Sequence, residues 1–102
     1  MADEKQDVIE SVVKALAIVE GLAGREYEPV SLAELAEKSR QDKAGIYLIL
    51  KTLEVCGYAE QSEEKGWRLT PRFIRLSEEY RIGMTKFIKR VDEKNRNYLG
   101  QF

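Results

Sequence analysis

A mostly α-helical fold with one small β-hairpin follows from three features of this sequence. A capped segment opens at Ser31 and is followed at once by a second amphipathic segment that stops at Gly57. Two short runs, residues 58–61 and 67–70, then flank the turn-prone stretch SEEKG. Beyond Pro71 a helical pattern continues almost to the end of the chain. Helix, tight connection, helix, hairpin and trailing helix is the order of a winged helix-turn-helix followed by a long C-terminal helix. Residues 1–76 are therefore assigned to the winged helix-turn-helix domain. Residues 77–102 are assigned to the C-terminal helix, which is expected to serve as a dimerisation element.

The first helix is expected from about Asp7 to Ala23. Its apolar residues, including Val8, Ile9, Val12, Val13, Leu16, Ile18, Val19 and Leu22, cover about 220° of the helical wheel, well beyond the ~100° that one core requires. Glu10, Lys14, Ala17 and Gly21 mark the narrow remaining face. Such a helix is either deeply buried in its own domain or packs on a second subunit as well. Gly24 to Pro29 reads as a loop, and Val30 as a very short strand.

Ser31 with Glu34 fits a capping box, in which the hydroxyl accepts from the third helical N–H and the carboxylate returns to the cap. Leu32, Leu35 and Ala36 give that helix a single apolar face ending near Ser39. Arg40 and Gln41 form the turn, and Asp42 is the expected N-cap of the next helix. That helix buries Ile46, Ile49, Leu50 and Leu53 and ends at Gly57, a suitable left-handed residue. Gly66 is expected to supply positive φ at the hairpin tip. Trp67 is read as a strand residue packed on the core, and Cys56 as a small buried apolar residue. Thr70 is expected to cap the last helix, with Pro71 at its first position. In that helix Tyr80, Met84, Phe87, Val91 and Tyr98 follow a heptad stripe broken by Lys94, which points to a homodimer.

Composition narrows the function. The 102 residues suffice for one small domain, with 43% hydrophobic and 34% charged residues, as in ordinary globular proteins. No apolar run approaches the ~18 residues of a membrane span. The acidic start MADEKQDVIE suits neither a secretory signal nor a transit peptide. Cys56 is the lone cysteine and cannot form an internal disulfide, so a cytoplasmic setting is expected. The chain has no histidine, no zinc-ligand spacing and no GxGxxG, Walker-type or GxSxG pattern. Neither catalysis, nor a cofactor, nor a metal, nor a membrane partner is expected.

The net charge of −1 hides an uneven distribution. Acids dominate the first ten residues, whereas Lys38, Arg40, Lys43 and Lys51 face only Asp42 in the second-helix region. Lys65, Arg68, Arg72 and Arg75 follow with no acid among them. Basic charge gathered at and beyond a second helix is the electrostatic footprint of a nucleic-acid binder.

With these elements in place, residues 9–76 resemble the N-terminal domain of the IclR (isocitrate lyase regulator) family of bacterial transcription regulators. The matching stretches are SVVKALAIVEGLA, SLAELAEKS, YLILKTLEVCGYAEQ and WRLTPRFIRL, about two thirds of the chain in the family's order and spacing. The resemblance implies a dimeric winged helix-turn-helix bound to double-stranded operator DNA. Family members carry a large ligand-sensing domain after the linker helix, whereas this sequence ends at Phe102, so no small-molecule effector is expected. The family's second helix usually opens with a glycine in the turn, a leucine-proline, a lysine-serine-threonine segment and a nearby arginine. Here the aligned residues are Arg40, Gln41-Asp42, Lys43-Ala44-Gly45 and Leu48, so the lysine is kept while two hydroxyls and the arginine are lost.

A DNA-binding transcription regulator is the expected function. Lys43, Tyr47 and Lys51 would enter the major groove, with Arg40 and Gln41 at its entrance. Ala44 and Leu48 would meet thymine methyls, and Lys65, Arg68, Arg72 and Arg75 would hold phosphates. Glu63 and Glu64 make the hairpin tip a poor groove probe. The alternative is a winged-helix module whose Ala44, Leu48 and Val55 face meets a protein partner.

Overall fold

The computed structural model describes residues 7–100. The element order is α1 (Glu10–Leu22), α2 (Leu32–Ser39), α3 (Lys43–Val55), β1 (Ala59–Gln61), β2 (Trp67–Leu69) and α4 (Arg72–Leu99). It is the mostly α fold with a hairpin that the sequence predicts. Of the acidic N-terminal run, Asp3, Glu4 and Lys5 lie outside the described residues. Two compact units meet in sequence between Thr70 and Pro71. The helix α4 is continuous across residues 76 and 77.

In the first unit the core is built from all the elements before Pro71. Ile18 and Leu22 of α1, Val30, Leu35 of α2, Ile46 and Leu50 of α3, Ala59, Trp67 and Leu69 are all buried. They are the positions that helical and strand periodicity turn inward, and burying each such side chain contributes about 1.5–3 kcal/mol. Trp67 occupies the strand position expected of it. Its backbone pairs with Gln61 in the hairpin and, through an isolated bridge, with Val30, whose N–H donates to the Trp67 carbonyl at 2.9 Å. That bridge ties the loop before α2 to the hairpin. The helix α1 starts at Glu10 rather than Asp7, buries only Ile18 and Leu22 and leaves Val12, Val13 and Leu16 exposed, as are Val8 and Ile9 just before it, so the deeply buried alternative does not hold.

Local signals fare unevenly. The Ser31 hydroxyl accepts from the Glu34 N–H at 3.1 Å, as a cap should. The reciprocal half of the capping box is replaced, because the Glu34 carboxylate takes Arg25 and Lys38, each at 3.1 Å. These cations hold the Glu34 carboxyl below the usual carboxylate range, the Arg25 hydrogen bond contributing most. Arg40 follows α2 in the left-handed conformation, φ 58°. Asp42 precedes α3 with extended backbone but makes no side-chain cap bond, contrary to expectation. At the other end of α3, Gly57 (φ 88°) is the left-handed stop the sequence predicts. The Tyr58 N–H donates to Leu53 O at 2.8 Å and the Gly57 N–H to Glu54 O at 3.0 Å, the paired bonds of a Schellman motif.

Four further expectations are corrected. Positive φ at the hairpin tip falls on Lys65 (φ 68°), not on Gly66. Gly66 is needed for space, since a Cβ there would lie 2.7 Å from the Pro29 Cβ. Cys56 is exposed, because the helix end turns it away from the core. The Thr70 hydroxyl donates to the Gly57 carbonyl at 2.6 Å, which fixes the hairpin's exit to the end of α3, and Pro71 rather than Thr70 occupies the cap position of α4.

The second unit is the helix α4. Its 28 residues bury none of their side chains, and Tyr80, Met84, Phe87, Val91 and Tyr98 are all exposed. No helix among the described residues is long and apolar enough to cross a membrane.

Candidate nucleic-acid interface

The geometry of α3 decides which side chains it offers. Burial of Ile46 and Leu50, with Ile49 and Leu53 half-buried, leaves Ala44, Leu48, Lys51 and Val55 on the outward face with Tyr47 at its margin. Leu48 is 67% exposed and Val55 86%. The turn before the helix contributes Arg40, exposed, and Gln41, half-buried. Arg40 and Lys43 form no ion pair with any other described residue.

Other cations are engaged. Lys51 Nζ donates to Glu54 at 2.8 Å, and that carboxylate holds the ammonium above its ordinary pKa. The Thr52 hydroxyl donates to the Leu48 carbonyl at 2.8 Å, which satisfies its proton within the helix. On the hairpin Arg68 Nε donates to Glu60 at 2.7 Å, its direct cross-strand neighbour in the register. Arg75 reaches Glu79 along α4 at 3.4 Å. Lys65 stands exposed at the hairpin tip beside Glu63 and Glu64, and Arg72 opens α4. Exposed pairs of this kind are worth about 0–1 kcal/mol and yield readily to a phosphate.

Two hollows adjoin the outward face of α3. An apolar groove between α1 and α3 is lined by Val12, Ala15, Leu16, Leu48, Ile49 and Leu53, among others. A more polar one at the start of α3 brings Lys14 together with Arg40, Gln41, Asp42 and Gly45. Lys14 is absent from the site residues expected from sequence. Its signal was its place on the narrow polar face of α1, but only the packing of α1 on α3 puts it beside the turn.

Two helices across a tight turn, backed by a hairpin tied to the core, define a winged helix-turn-helix protein. The chain belongs to the family of the IclR helix-turn-helix domain, whose model matches residues 11–63, just over half of the chain. Among solved structures it is similar to an IclR transcriptional regulator from Alicyclobacillus acidocaldarius, with 26% identity and a TM-score of 0.62 over 68% of this chain. It is also similar in fold to a point mutant of ZitR from Lactococcus lactis, with 18% identity and a TM-score of 0.50 over 91% of this chain. The chain spans 28% of the length of the first protein and 65% of the second. No curated protein matches it.

Proposed function

We propose that this protein is a DNA-binding transcription regulator that acts as a homodimer, with α3 as its reading helix. The observation that carries this is the outward face of α3, flanked by Arg40 and Lys43, two cations that no described acid pairs. Ala44, Tyr47, Leu48 and Lys51 meet the major groove with Gln41 at its entrance, Arg40 and Lys43 reach the phosphates at its edge, and Lys65, Arg68, Arg72 and Arg75 hold further phosphates and set register. The exposed stripe Tyr80, Met84, Phe87, Val91 and Tyr98 joins two copies. Family membership and the likeness to a transcriptional regulator support the reading. Fluorescence anisotropy of the protein with duplex DNA at low salt tests it. Saturable binding is expected, and its absence refutes the proposal.

A second reading draws on one observation, the exposure of Leu48 and Val55 where hydrogen-bond donors would serve a reader better. In it the same face meets a protein partner. Leu48→Arg separates the two, since an added cation retains or raises affinity for DNA but disrupts an apolar protein contact.

A further inference from the structure

The outward face of α3 has little left with which to read bases by hydrogen bonding. Lys51, in an exposed pair with Glu54, offers a point charge rather than a bidentate grip, and the Thr52 hydroxyl is spent on the Leu48 carbonyl. Arg, Asn and Gln, the side chains that grip guanine or adenine bidentately, are missing from α3 altogether. What projects instead is a stripe of apolar tips one turn apart, Ala44 and Leu48, with Leu48 67% exposed. The turn that leads into this stripe and the first residue of α3 carry Arg40 and Lys43, whose charge complements phosphate and which form no ion pair with a described acid. A duplex held by those cations presents the stripe with one apolar feature in its major groove, the C5-methyl group of thymine.

Building on the DNA-binding reading, we infer that Ala44 and Leu48 are the specificity-determining residues and that they recognise thymine methyl groups. Discrimination is then between thymine and the other bases by packing, with the phosphate contacts supplying most of the affinity. Tyr47, half-exposed beside the stripe, widens the apolar wall and closes it against water.

Selection from a random-sequence duplex library, followed by replacement of thymidine with deoxyuridine in the enriched sites, tests this directly. Enriched half-sites rich in thymine are expected. Each deoxyuridine at a contacted position should weaken the wild-type protein about fourfold, the factor equivalent to ~0.8 kcal/mol for one buried methyl-sized group. Leu48→Ala should lose the preference for thymidine over deoxyuridine at the position Leu48 contacts and keep it at the one Ala44 contacts, while Leu48→Met keeps both; circular dichroism checks that both variants fold. Salt-dependent binding that ignores the methyl groups overturns the inference and leaves the DNA-binding reading standing. A methyl effect of equal size in wild type and Leu48→Ala overturns the assignment to Leu48. Failure to bind any duplex at low salt removes both.

Discussion

Phe87→Glu should dissolve the proposed homodimer. Phe87 is 60% exposed in the single chain and lies on the stripe with Tyr80, Met84 and Val91. Full burial of such a side chain contributes ~1.5–3 kcal/mol, so covering the part still exposed is worth about 1–2 kcal/mol. A two-fold axis repeats the contact, which doubles the loss to about 2–4 kcal/mol, or roughly thirty- to several-hundred-fold in the dimer dissociation constant. A buried carboxylate adds to this. Ile82 provides the control, because it is 44% exposed but lies on the opposite side of α4 from the stripe. Ile82→Glu should leave the dissociation constant within about threefold of wild type, as surface changes usually cost no more than ~0.5 kcal/mol. Sedimentation equilibrium over a wide concentration range reads both. A wild type that stays monomeric throughout, or a Phe87→Glu protein that dimerises as the wild type does, refutes the reasoning.

Further predictions concern stability and pH. Gly57→Ala forces a Cβ into a left-handed position at a net cost of about 1 kcal/mol, seen as a fall of roughly 4–8 °C in Tm. Gly66→Ala should cost about 1–3 kcal/mol in urea unfolding, because the new methyl meets the Pro29 ring at 2.7 Å. For Glu34, Arg25 and then Lys38 lower the folded pKa below its ordinary 4.5. Its contribution to stability is therefore complete above about pH 4.5 and is lost as pH falls through the lower folded value. Urea midpoints measured downward from pH 6 should drop less steeply for Glu34→Gln than for wild type, and parallel curves would contradict this.

The features legible in the sequence are those that depend on near neighbours. Gly57 could be read as the stop of α3 because few residues tolerate a left-handed C′ position, and Ser31 as a cap because its acceptor reaches an N–H three residues on. Periodicity likewise placed Ile46 and Leu50 inside and Ala44 and Leu48 outside. The misreadings arise where a distant residue decides. Gly66 answers to Pro29, the Thr70 hydroxyl to the Gly57 carbonyl, and the Glu34 carboxylate to Arg25. Arg68 is legible as a cation, but its pairing with Glu60 depends on the hairpin register. The outward face of α3 was thus visible beforehand, whereas the engagement of Lys51 and Arg68 and the approach of Lys14 to the turn required the fold.

The most direct test of the account is the salt dependence of duplex binding, measured for wild type and for an Arg40→Ala, Lys43→Ala double variant. If both cations neutralise phosphates in each half of a dimer, four phosphate contacts disappear, and the slope of log affinity against log salt should become shallower by about 3.6. Circular dichroism and sedimentation should show the variant folded and dimeric, since both positions are exposed. A variant whose slope equals that of wild type contradicts the claim that α3 and its leading turn face DNA.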